Sequence, residues 1–163
     1  RRCWRQAHTV VEASRRAVLV LGLLALITAT ATAADATAKE LVAQLHQAHR
    51  SKQDPFTEVQ LLAHYFDAPL LKLYLRDRRQ AKDEIGRLDG DPLYNAQDIE
   101  IKDFTISPPE AVAGETRVTV RFKNFGRLTR VVFVLTRTRE GWKISDARYD
   151  DGSSLKKILQ ADN

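Results

Sequence analysis

Methionine is absent from the 163 residues and cysteine occurs once, as Cys3. Cys3 falls in an N-terminal stretch that reads as removable. The remaining chain is therefore expected to carry no disulfide, no cysteine nucleophile, no thiolate metal site and no lipid-bearing cysteine at a cleavage point. No apolar run is long: Ala17 to Ile27 falls short of the roughly 20 residues a spanning helix needs. No glycine-rich phosphate loop and no G-x-S-x-G element occurs, which removes the commonest nucleotide and serine-hydrolase signatures. With no methionine, residue 1 does not read as an ordinary start. Arg1 to Val10 are expected to lie upstream of the true start, with an alternative start codon at Val10 or Val11.

A large basic surface is lacking as well. The formal charge is +5, but Arg1 to Ala34 hold five of the 26 Lys+Arg and, in Glu12, one of the 21 Asp+Glu. That leaves 21 basic and 20 acidic residues, about +1. Nucleic-acid binding, which calls for a basic patch or stripe, is not expected. The run Arg76-Asp77-Arg78-Arg79 is followed by Lys82, Asp83 and Glu84 and reads as a solvated helix face.

What is present begins with an address. Arg1, Arg2, Arg5, Arg15 and Arg16 precede the apolar run, and small residues follow it through Ala31-Thr32-Ala33-Ala34. This is the layout of a secretory signal peptide, with cleavage expected between Ala33 and Ala34 and a runner-up after Ala31. Ser14-Arg15-Arg16 also resembles a twin-arginine signal, although ordinary secretion suits a chain with no cofactor motif. The expected product is periplasmic or secreted, with no stable membrane insertion after cleavage. Residues 1–33 read as the signal, 34–53 as an N-terminal helix and linker, and 54–163 as an α+β domain.

Thr37 and Glu40 have capping-box spacing, with Ala38, Leu41, Leu45 and Ala48 on one helix face. That helix is expected to end between Arg50 and Gln53. Asp54-Pro55 predicts the N-cap and first residue of a second helix, with Val59, Leu62, Ala63 and Phe66 as its stripe. Pro69 predicts a break and restart at Asp67, and the third stripe is Leu70, Leu71, Tyr74, Leu75, Ala81 and Ile85. Gly86 and Asp89 to Pro92 end it. A last helix is expected from Ser153 or Ser154, burying Leu155, Ile158 and Leu159.

Period-2 alternation predicts four strands: Ile99 to Ser107 with a bulge near Asp103, Thr116 to Lys123, Leu128 to Arg139, and Trp142 onward. Pro108-Pro109 stops the first, and turns are placed at Asn124-Phe125-Gly126 and Glu140-Gly141. Val118, Val120 and Phe122 share a face. Val131 to Leu135 is apolar on both faces, as in a central strand. Strict alternation puts Trp142, Ile144 and Asp146 together. The expected fold is α+β, with N-terminal helices packed on a curved four-stranded antiparallel sheet and a short C-terminal helix.

Asp91-Pro-Leu-Tyr-Asn-Ala-Gln-Asp98, Gly141-Trp-Lys-Ile-Ser-Asp146 and Ser154-Leu-Lys-Lys-Ile-Leu159 carry a resemblance to a family of bacterial exported proteins, the domain of unknown function number 3828. The resemblance spans Phe56 to Leu159. It implies the cone-shaped α+β fold of the nuclear-transport-factor-like superfamily, which resembles the cystatin-like arrangement, and it implies export. Related proteins are often lipoproteins; this chain lacks the cysteine for that. Members of the superfamily range from isomerases and dehydratases to binding modules, so the resemblance assigns no catalytic residue.

An enzyme would need an acid or base in the cone, and Asp146 is the candidate, since burial on an apolar face would raise its pKa. The plainer alternative is a strand-end carboxylate pairing with Arg148 or a backbone N–H. Tyr65, Tyr94, Asp98 and Trp142 are candidates for lining a ligand pocket, with His64 beside Tyr65. Asp98 also suits a turn, and Trp142 suits plain core. Asp89, Asp91 and Glu100 match three EF-hand positions, but Leu93 and Tyr94 stand where a ligand and the glycine belong, so no calcium site is expected. His46 and His49 lack a third zinc ligand. No cofactor and no metal is expected. The leading expectation is a non-catalytic exported binding or protein-interaction module for an envelope protein or a small apolar ligand. The alternatives are a small isomerase- or hydrolase-type enzyme using Asp146, and an immunity protein against a secreted toxin.

Overall fold

The computed structural model describes residues 38–51, 53–81 and 86–161. The expected signal peptide with Ala33 and Ala34, the expected cap at Thr37 and the apolar Ile85 lie outside the described residues. The described residues belong to one compact unit, Asp35–Asn163.

Helix α1 covers residues 38–49 and buries Ala38, Leu41, Val42, Leu45 and His46. Those positions recur at three- and four-residue steps, as one apolar stripe requires. The helix stops one turn before Asp54, which caps a turn rather than a helix. Its side chain accepts from the Phe56 amide at 3.0 Å and the Thr57 hydroxyl at 3.2 Å. The second helix, α2, therefore begins only at Val59 and runs Val59–Tyr65, later than the Pro55 start expected from the sequence.

The break at Asp67 has the cause expected of it. Asp67 accepts from the Leu70 amide at 2.8 Å, capping α3 at Ala68–Ala81 while Pro69 occupies its first turn. Helix α3 buries Leu70, Tyr74 and, unexpectedly, Asp77; Leu71 and Leu75 are half-buried. Ser154 caps α4, Leu155–Gln160, by accepting from the Lys157 amide. Leu155 and Leu159 are buried.

The sheet is antiparallel, open and five-stranded: β1 Ile101–Ile106, β2 Glu110–Val112, β3 Glu115–Asn124, β4 Arg127–Thr138 and β5 Gly141–Tyr149. The four-strand expectation is corrected by β2. Pro108-Pro109 interrupts the first strand without ending it, because β1 and β2 lie along the same edge of β3, pairing with its two halves. The bulge near Asp103 is present as a register shift between Lys102 and Thr105, with Asp103 at φ 54°.

The β3–β4 turn places Phe125 at φ 48° and Gly126 at φ 78°, a primed two-residue hairpin turn. Glycine is at ease there; a bulky Phe125 is not, and it is 61 % exposed. The β4–β5 turn is corrected by one residue. Thr138 pairs with Gly141, so the turn residues are Arg139 and Glu140.

Register at the end of the sheet decides which side chains face the core. Val134 pairs with Asp146 but Leu135 pairs with Ile144, leaving Ser145 as an extra residue in β5. The buried apolar set in β5 is consequently Ile144, Ala147 and Tyr149. One apolar cluster joins Leu45 of α1, Leu62 of α2, Leu70 of α3, Phe122 of β3, Phe133 of β4 and Leu159 of α4. The outer edge of β5 is covered. Phe66 bridges to Ile144, and Ser154 bridges to Arg148. Lys143 reaches the carbonyls of Ala63 at 3.1 Å and His64 at 2.9 Å, satisfying C-terminal groups of α2 that its own turns leave free.

Candidate ligand-binding cleft

The largest concavity described, about 550 Å³, lies between the end of α1, the Asp54 turn, α3 and the loop 86–92. Its apolar wall includes Phe56, Tyr74, Leu88 and Pro92. Tyr74 is fixed by donating its hydroxyl to the Phe56 carbonyl at 2.9 Å. Asp77 is 4 % exposed and accepts from the Arg87 amide and from the Arg87 guanidinium at 3.0 Å. A side chain at Gly86 would run into the Asp77 carboxylate and force it to shift, so glycine lets the loop pass close to Asp77. The next part of the loop is a tight unit. Asp91 accepts from the Leu93 amide at 2.8 Å, the Asp91 amide donates to the Ala96 carbonyl at 2.8 Å, and Tyr149 donates to the Pro92 carbonyl at 2.9 Å. Leu93 and Tyr94 are each 1 % exposed.

His49 joins these pieces. Its Nδ1 donates to Asp54 Oδ1 at 2.9 Å and its Nε2 donates to Asp91 Oδ2 at 2.6 Å. Two donating nitrogens make it an imidazolium. The hydrogen bond it donates to Asp91 is the main reason its pKa is raised to about 9, aided by Asp54 and opposed by burial. An imidazole held this way has no lone pair left for a proton, a metal ion or a substrate. One turn earlier, His46 is 1 % exposed among the rings of Tyr94, Phe104 and Phe133. Its Nδ1 sits 3.5 Å from the Tyr94 hydroxyl and its Nε2 has no partner. Burial lowers its pKa to about 3, helped by the charges of Arg50 and His49. The two histidines share a helix face and no ligand. Among the described residues no group of three or more His, Cys, Asp or Glu is arranged to hold a metal ion, and no helix is long and apolar enough to cross a membrane.

The residues singled out from the sequence are dispersed. Tyr65 is 9 % exposed in the core, edge-on to His64 at 5.1 Å. Tyr94 is core, edge-on to Phe122 at 5.3 Å. Asp98 is exposed and lends its carbonyl to the Asn124 amide side chain at 3.0 Å. Trp142 is half-buried under the Arg137 guanidinium, 5.2 Å from its ring, beside a smaller cavity of about 290 Å³ that His64 also lines. None of the cavities described is lined by more than one of Tyr65, Tyr94, Asp98 and Trp142.

Asp146 corrects the strict-alternation reading. The extra residue Ser145 turns it to the face of its partner Val134, away from the Ile144 face. Its Oδ1 accepts from the Ala147 and Lys156 amides, each at 2.9 Å, and its Oδ2 lies 4.0 Å from Arg148 Nε. It caps α4, the plainer of the two sequence readings. On that same sheet face Glu115 accepts from Arg148 at 2.6 Å and Arg117 at 2.6 Å. Those hydrogen bonds, Arg148 first, hold the Glu115 pKa down to about 2.

No family model, curated protein or solved structure matches this chain. The reading of function therefore rests on the cleft itself. It was hidden in the sequence because its charged members come from three separate segments, α1, α3 and the loop 86–92. The local signals were Asp54-Pro55 and Asp89-Gly90-Asp91-Pro92, which also have ordinary turn readings.

Proposed function

We propose that this protein is an exported, non-catalytic binding module whose ligand site is the cleft beside His49. The carrying observation is that the histidine, the buried carboxylates and the hydroxyls around the cleft are already committed. His49 spends both nitrogens on carboxylates, Asp77 is held by Arg87, and the hydroxyls of Thr57 and Tyr74 point at Asp54 and the Phe56 carbonyl. An activated nucleophile needs a base in hydrogen-bond reach; Asp54, which accepts from Thr57, is already paired with His49, and Asp89 holds no hydroxyl among the described residues. The volume falls inside the range of ligand sites, and its lining mixes an apolar wall with a few polar groups, as such sites do.

The cone-shaped, nuclear-transport-factor-like arrangement with helices packed on a curved sheet belongs to the same reading. The open antiparallel sheet and the closing helix α4 support it. So does the shared core, in which Tyr94, Phe122 and Phe133 fill the interior and push the ligand site to the cleft. Export rests on the basic, apolar and small-residue segments before Ala34. Asp146 acting as a cap supports the non-catalytic reading over an enzyme using that residue.

Thermal unfolding in the presence of a panel of small polar and apolar compounds tests the cleft. Compounds that raise the midpoint of the native chain should fail to raise that of Leu88→Trp, in which the cleft is filled. A panel that shifts both chains equally, or neither, sinks the reading.

A further inference from the structure

Among the described residues, five charged side chains line the cleft: His49, Asp77, Arg78, Asp89 and Asp91. Three are balanced within the protein. His49 and Asp91 pair with each other, with Asp54 on the second nitrogen, and Asp77 pairs with Arg87. Two are not. Asp89 is exposed and makes no ion pair among the described residues. Arg78 is exposed one turn along α3 from Tyr74, whose neutral hydroxyl it meets, and it has no carboxylate partner among the described residues. Among the described residues the cleft thus offers one cation and one anion without an ion-pair partner around the apolar wall of Phe56, Tyr74, Leu88 and Pro92.

We infer that the ligand is a small zwitterion with an apolar body, an amino acid or short peptide, whose carboxylate meets Arg78 and whose ammonium meets Asp89. This rests on the binding-module reading and adds the ligand's chemical class. A guanidinium matches a carboxylate with two parallel N–H donors, and a free carboxylate is a direct acceptor for an ammonium. A ligand with a single charge leaves one of the two groups unanswered. An uncharged apolar ligand leaves both desolvated without a partner, which costs binding energy. The committed groups contribute as scaffold. The His49 clamp ties the 91-loop to the Asp54 turn, and the Asp77–Arg87 pair ties the 87-loop to α3, so the opposed charges are carried on anchored segments. Pre-anchored groups lose little further freedom on binding.

Calorimetric titration of the full chain with L-phenylalanine, the dipeptide Ala-Phe, phenethylamine and 3-phenylpropionate tests this. At least one of the two zwitterions should bind about tenfold or more tightly than either single-charge analogue. Arg78→Gln should erase the preference over phenethylamine, and Asp89→Asn the preference over 3-phenylpropionate. Both residues are exposed, so unchanged thermal midpoints check that the variants fold. Equal affinity for all four probes, or a preference untouched by both variants, overturns the assignment of ligand class. If only uncharged or singly charged probes bind and Leu88→Trp blocks them, this inference falls while the cleft remains the binding site. If nothing binds any probe and no compound shifts the thermal midpoint, both fall together.

Discussion

His46 and His49 sit one turn apart on α1 and have opposite electrostatic fates. His46 is caged by Tyr94, Phe104 and Phe133, and desolvation keeps it neutral with a pKa near 3. His49 stands between Asp91 and Asp54, and their hydrogen bonds keep it charged with a pKa near 9. Nothing in the local sequence separates them. Both follow a helix stripe, and both are three residues from another histidine. What differs is the partner chain segment: strands β1 and β4 reach His46, whereas two loops bring carboxylates to His49. A histidine's role is set by the dielectric and charges that tertiary folding delivers to it.

The comparison breaks most sharply at His46. His46→Ala leaves a cavity among three rings and should cost about 3 kcal/mol by chemical denaturation. His46→Phe removes the unpaired Nε2 at similar shape and should cost far less. Equal losses would mean that the ring's polar atoms, not its packing, hold the site.

His49→Ala leaves Asp54 and Asp91 facing each other without the cation. A loss of about 2 kcal/mol is expected, moderated by partial exposure. A loss no larger than that of an exposed surface pair would show the clamp to be slack.

The two histidines should also shape opposite limbs of the pH–stability curve. The folded pKa of His49 is raised, so its contribution is complete below about 6.5 and is lost as pH rises to about 9. The folded pKa of His46 is depressed, so the neutral form is favoured above about 6.5 and stability falls as pH drops towards 3. Denaturation midpoints across that range should show His49→Gln flattening the alkaline limb and His46→Phe flattening the acid limb. A variant that alters the wrong limb would contradict the assignment.

The smallest effect is at Arg50, whose guanidinium lies 4.8 Å from the Phe104 ring beside His46. Arg50→Ala should cost roughly 0.5 kcal/mol and make the acid limb slightly shallower, because a cation that disfavours protonated His46 is gone and its folded pKa moves back towards the ordinary value.

Much of the scaffold was legible because its signals are local. Pro69 and Asp67 mark the α3 start, alternation marks Val118, Val120 and Phe122, and Ser154 marks the cap of α4. The misreadings have local causes too. Asp54-Pro55 begins a turn as readily as a helix, and two prolines interrupt an edge strand without ending its pairing. Ser145 illustrates the limit: one inserted residue reverses the face of every side chain after it, so Asp146 left the apolar face on which alternation had placed it. The cleft was hidden for a different reason. Buried Asp77 looked like one more solvated charge in a basic–acidic run, and only Arg87, ten residues on, explains its burial.

The sequence by itself determined the element types and their order, short β2 excepted, and the near-neutral charge of the chain after Ala34, because propensity, periodicity and composition act over a few residues. Only the tertiary structure decided which histidine is charged, which face Asp146 occupies and which carboxylates remain uncommitted. Those outcomes depend on burial and on partners 5 to 42 residues away, as with His49 between Asp54 and Asp91, and such distances carry no signature in the chain's local pattern.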